Sequence, residues 1–89
     1  MKDFEKSKML YRYVSLELRQ VRKSKNLTLD QVANDLDLSQ SFVSRIERGK
    51  RELHAFYYYL ALAEYYEVDI KEVISNAELR MEIEKTLEE

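Results

Sequence analysis

Gln40, Ser41, Ser44 and Arg45 crowd into one short stretch, with Phe42 among them. Together they offer an amide, two hydroxyls and a guanidinium, which donate and accept hydrogen bonds but include no activated nucleophile. The chemistry they suit is recognition of a polar edge. A glutamine amide can bond an adenine edge at two points, and an arginine fork matches guanine O6 and N7. Turnover chemistry has little to work with, since the chain holds one histidine, no cysteine and a single glycine. His54 reads as a capping or packing residue. One imidazole among scattered glutamates lacks convergent metal-ligand spacing, so no enzyme activity, metal or cofactor is expected.

The elements that must position this stretch are legible on either side of it. In LTLDQVANDLDLSQSFVSRIERGKR, residues 27–51, the apolar spacing predicts two short helices joined by a tight turn. Val32, Ala33 and Leu36 form one apolar face, Leu38 fills the turn, and Val43 and Ile46 form the inward stripe of the second helix. Thr28 with Gln31 makes a capping box, Ser39 caps the second helix, and Gly49 stops it. Asp37 tolerates the left-handed backbone such a turn requires. This is a helix-turn-helix unit over residues 28–48, and the outward side of its second helix would enter a DNA major groove.

Before this unit, Leu10, Val14, Leu18 and Val21 predict a helix from Ser7 or Lys8 to Lys25, stopped near Asn26. After it, helices are expected at about 53–66, at 70–74 behind an Asp69–Glu72 capping box, and at 76–87 behind a Ser75–Glu78 box. The 89 residues then form one all-α domain, with residues 75–88 as a helical extension. The absence of proline and the seven tyrosines fit that class.

Net charge is −2, which is unpromising for a DNA binder until it is divided along the chain. Residues 1–16 hold four basic and two acidic side chains, residues 17–51 eight and five, and residues 52–89 three and ten. Positive charge thus gathers on the part expected to face phosphate, and the acidic half faces away or faces a partner. The charged N-terminus MKDFEKSKML is unlike a signal peptide. No apolar run approaches the roughly 20 residues of a membrane span, and a cytoplasmic protein without membrane contact is expected.

The pieces LRQVRKSKNLT, VANDLDLSQSFVSRIERGKR and ALAEYYEVDIKEVI, from about Val14 to Ile74, resemble the Cro/C1-type phage repressor family, also called xenobiotic-response-element-type regulators. The resemblance implies a five-helix lambda-repressor-like domain, here with an extended first helix and an additional C-terminal helix. It also implies a two-fold dimer acting as a transcriptional repressor on a near-palindromic operator of double-stranded DNA. By position, Gln40, Ser41 and Arg45 would read bases, with Phe42 against a thymine methyl. Ser44, Arg48, Lys50 and Arg51 would hold phosphates. Arg22 and Glu47 match a structural salt bridge between the first helix and the end of the reading helix. Three positions depart from the family pattern: Leu29 stands where a glutamine usually braces the backbone, Asp37 replaces the turn glycine, and the proline after GKR is missing.

Two features lie outside the reading head. The segment LHAFYYYLALAEYY is apolar nearly all round, with Phe56, Leu60 and Ala63 on one side and Tyr58, Leu62 and Tyr65 on another. Leu79, Ile83 and Leu87 recur every fourth residue in the last helix. Tyr58, Leu62, Tyr65 and the Leu79–Leu87 stripe are therefore expected to contribute to a homodimer. Lys2, Lys6, Lys8 and Arg12 read first as a solvated face, and alternatively as contacts to flanking phosphate. A second function class stays open: a protein-interaction module, such as an antitoxin or antirepressor-like partner, using the acidic, tyrosine-rich C-terminal half.

Overall fold

Apolar side chains spaced three and four residues apart make helices, and five are present in the computed structural model, which describes residues 4–49 and 56–88. They are α1 (Glu5–Ser24), α2 (Leu29–Leu36), α3 (Gln40–Glu47), α4 (Phe56–Tyr65) and α5 (Ile70–Glu88). The caps anticipated at Thr28 and Ser39 are formed, and Asp69 caps the start of α5 through the Lys71 amide. Thr28 Oγ1 accepts from the Gln31 amide at 3.1 Å while Gln31 Oε1 accepts from the Thr28 amide at 2.8 Å. Ser39 Oγ accepts from the Phe42 amide at 3.0 Å, and Asp69 Oδ1 accepts from the Lys71 amide at 2.8 Å.

Three helices end in the same way. Asn26, Asp37 and Glu67 take left-handed backbone, with φ of 58°, 57° and 60°. The amides of Leu27, Leu38 and Val68 then reach back to the carbonyls of Arg22, Ala33 and Ala63 at 3.2, 2.8 and 2.9 Å. Each of these closures turns the next side chain, Leu27, Leu38 or Val68, onto the core. After α3 the same role falls to Gly49 at φ +64°, where a Cβ would stand 3.1 Å from the Arg12 Cα. Glycine is needed there for both conformation and space.

The core is built from Val14 and Leu18 of α1, Val32 of α2, Val43 and Ile46 of α3, Tyr59, Leu62 and the following Tyr66 of α4, and Val73 and Ala77 of α5. α1 and α5 run antiparallel: Tyr13 donates its hydroxyl to Glu84, and Arg80 meets Glu17 at 3.1 Å. Among the described residues no helix is long and apolar enough to cross a membrane.

Three expectations need correction. The helices expected at 70–74 and 76–87 are one continuous helix. Ser75 and Glu78 spell a capping box, but with no glycine or proline after Gly49 nothing breaks the helix before them. α1 begins at Glu5, earlier than Ser7. On α4 the inward stripe is Tyr59, Leu62, Ala63 and Tyr66, while Phe56 and Leu60 are exposed. The expected start of α4 at Leu53 lies outside the described residues.

Candidate nucleic-acid interface

α3 is an eight-residue helix whose inner side is fixed by Val43 and Ile46, both fully buried. At 3.6 residues per turn, Ser41, Arg45 and Arg48 fall on the side opposite to that pair, with Ser44 beside them and Gln40 at the rim of the first turn. Burial agrees: Gln40, Ser41 and Arg48 are exposed, and Ser44 and Arg45 are half-buried. The structure thus gathers Gln40, Ser41, Ser44, Arg45 and Arg48 on one outward face. Lys50 and Arg51 lie outside the described residues. The Arg48 guanidinium Nε reaches back to the Ser44 carbonyl at 3.4 Å, a long contact that leaves the side chain little constrained.

Phe42 has a different environment from the other candidates. Its ring meets Tyr58 of α4 edge-on, with centroids 4.8 Å apart, and it packs against the core. Phe42 therefore seats α3 on α4, and only part of its ring faces outward. Tyr58, expected at a contact between chains, thus has one part of its ring against α3 of the same chain and remains half-buried. Tyr65 is likewise engaged within the chain, donating its hydroxyl to Asp35 of α2 at 2.5 Å. Leu62 is 1% exposed, so it cannot meet a second chain. The second apolar side of α4 meets the helix-turn-helix unit at Phe42 and Asp35, with Tyr58 and Tyr65 half-buried there. Leu79, Ile83 and Leu87 are different, being 59%, 50% and 79% exposed.

A buried ion pair fixes the end of α3. Arg22 Nε donates to Glu47 Oε2 at 2.7 Å, and its terminal nitrogens donate to Glu47 Oε1 at 3.2 Å and to the Leu27 carbonyl at 2.7 Å. Both side chains are nearly inaccessible, and the forked geometry satisfies both carboxylate oxygens. The family resemblance implies the pair, but not the Leu27 carbonyl. That acceptor exists because α1 ends in a left-handed turn at Asn26, which points the carbonyl of the next residue back at the guanidinium.

The turn between α2 and α3 brings Asp37 to the surface. Among the described residues, no three histidine, cysteine or carboxylate side chains are arranged to hold a metal ion. What the site offers is an exposed rod with donors and acceptors along one side, rigidly braced from behind by Tyr58 and by the Arg22–Glu47 pair. Such a rod suits a groove that presents hydrogen-bonding edges in sequence.

Comparison with known proteins agrees with this geometry. A family model described as a helix-turn-helix domain matches residues 14–73, which takes in α1 from Val14 through the first turn of α5. A search of curated proteins returns no match.

Proposed function

The chain belongs to the helix-turn-helix domain family, and on that premise we propose that it is a sequence-specific transcriptional regulator of the Cro/C1 kind, acting on double-stranded DNA. The observation that carries this reading is the outward face of α3, where Gln40, Ser41, Ser44, Arg45 and Arg48 stand clear of a core that holds Val43 and Ile46. In this reading Gln40, Ser41 and Arg45 contact base edges, while Ser44, Arg48, Lys50 and Arg51 set register on the phosphates. Phe42 contributes mainly by holding α3 at its angle to α4.

Selection of bound duplexes from a random pool tests the proposal. A short preferred sequence should emerge. Arg45→Ala or Gln40→Ala should then weaken that sequence by roughly 1–3 kcal/mol and relax preference at one base pair. Arg48→Ala should weaken all sequences about equally. A pool that yields no enriched sequence would overturn sequence reading.

We extend the proposal to a homodimeric repressor in the cytoplasm that occludes a near-palindromic site, its two α3 helices about 34 Å apart. Support comes from the Leu79, Ile83 and Leu87 row on α5, which is apolar, regular and at least half-exposed. Sedimentation at micromolar concentration should give a dimer that Ile83→Asp dissociates. A wild-type monomer that still binds its site would remove the dimer from the reading.

A further inference from the structure

We infer that α1 carries a second DNA-contacting surface, a row of basic side chains that tracks the phosphate backbone alongside the bases read by α3. The inference rests on the reading just proposed for α3 and extends it to residues outside the matched stretch.

The row is set by helical period. Lys8, Arg12, Arg19 and Lys23 fall within roughly 60° of one another around the α1 axis and span about 22 Å along it. All four are exposed. Between Lys8 and Lys23 the one acidic residue is Glu17, and it points the other way, to Arg80 of α5 at 3.1 Å. Glu5 lies near one end of the row, 3.9 Å from Lys8 in an exposed pair that water screens. Lys6 falls on the opposite side of the helix by the same period, which separates it from this row.

Two contacts fix where the row lies. Gly49, just past the end of α3, sits against α1 so closely that a Cβ there would come within 3.1 Å of the Arg12 backbone and 3.5 Å of Ser15. Two residues earlier, at the end of α3, Glu47 is bonded to Arg22. The side of α1 occupied by Ser15 and Arg22 therefore meets α3, and the basic row borders that seam on its solvent side. Around α3, Glu47 is followed outward by Ser44 and then Arg48, so the row and the reading face are neighbours. Glu84 and Glu88 of α5 line one pocket together with Lys8 and Arg12, and Glu84 receives the Tyr13 hydroxyl there, so two α5 carboxylates border the N-terminal half of the row. A polyanion bound to α3 thus meets a cationic row on one side of it, unopposed at Arg19 and Lys23 and bordered by Glu84 and Glu88 at Lys8 and Arg12.

The row extends further than the family match. Residues 14–73 include Arg19 and Lys23, whereas Lys8 and Arg12 belong to the lengthened start of α1. The extension adds two charges to a backbone-holding surface and no base-reading group. Its effect should be on affinity and salt dependence, not on sequence preference.

The test uses the full chain, with Lys8→Gln/Arg12→Gln as the variant and Lys85→Gln, an exposed residue of α5, as the control. Binding is measured to a selected duplex and to a random-sequence duplex over a salt series. The double variant should lower the salt slope by about 1.8 on both duplexes, since each lost phosphate contact removes about 0.9. At low salt it should bind both roughly tenfold or more weakly, with their ratio and its circular dichroism unchanged. Lys85→Gln should behave as wild type. A wild-type chain that binds no duplex overturns the α3 reading and the row with it. A wild-type chain that binds normally, with a double variant of unaltered slope, overturns the row alone. A double variant that loses the selected sequence while keeping the random one also overturns the row.

Discussion

Tyr59 and Tyr66 share the inward stripe of α4 but differ in what their hydroxyls meet. Tyr59 lies 2.9 Å from Ser15 Oγ across the α1–α4 contact. The Tyr66 hydroxyl is buried without a hydrogen-bond partner among the described residues. Tyr59→Phe should therefore cost about 1–2 kcal/mol, because it orphans a buried serine, whereas Tyr66→Phe should be neutral or stabilise by up to about 1 kcal/mol. Urea unfolding of the two variants distinguishes them, and equal losses would contradict the assignment. Removing Glu47 as Glu47→Ala should be worse than either, at roughly 3–5 kcal/mol, since it strands the Arg22 guanidinium in the core. Which tyrosines of the all-round apolar α4 face inward is not readable from residue types. Nor is which of them finds a partner, because Ser15 is 44 residues from Tyr59 and only packing brings them together.

Helix ends show the same division between local and distant information. Asn26 and Asp37 are residue types that accept left-handed backbone, and the sequence marks both positions as stops. Glu67 gives no such signal, since a longer side chain gains no local hydrogen bond there, yet α4 ends on it at φ 60°. The clue lies downstream, in Val68, which the turn drives onto the core. Glu67→Gly should raise stability by about 0.5–1 kcal/mol, the relief of left-handed strain outweighing the added freedom of the unfolded chain. Ser75 is the opposite case, a capping motif that caps nothing. As a mid-helix residue, Ser75→Ala should stabilise by a few tenths of a kcal/mol. As a cap it would cost about 1 kcal/mol, so the sign of the change in thermal midpoint decides between the two. The sequence misleads over the last helix because its capping signature is compatible with either outcome. An all-round apolar α4 does not say whose side chains meet it, which is why the intrachain contacts of Tyr58 and Tyr65 are not legible in the sequence.

Across the molecule, charge is sorted by helix, with basic side chains along α1 and the α3 face and carboxylates along α5. The core couples this arrangement to pH. Burial pushes the phenol groups of Tyr59 and Tyr66 well above their ordinary value of 10.0, with the Glu47 carboxylate adding to the rise at Tyr66. Because the folded values lie above the unfolded one, this contribution to stability is complete below about pH 10 and is lost as pH rises further. In an alkaline titration the last part of the tyrosinate absorbance, that of the buried Tyr59 and Tyr66, should appear together with the loss of helicity. The Tyr59→Phe/Tyr66→Phe double variant should lose less stability than wild type between about pH 9 and about pH 11.5, each measured against its own value at neutral pH. Tyrosinate absorbance reaching its full seven-tyrosine amplitude while helicity is intact would contradict this account.

The forked bond from Arg22 to Glu47, anchored again at the Leu27 carbonyl, sets the angle between α1 and α3 before any nucleic acid arrives. Docking then requires little folding or reorientation, and its entropic penalty falls chiefly on long exposed side chains such as Arg48. Calorimetry should accordingly give a heat-capacity change in proportion to the contact area alone, without the larger signature of a segment that orders on binding. The reading head is machined in advance, and whatever discrimination it achieves must come from how well a given stretch of duplex conforms to it.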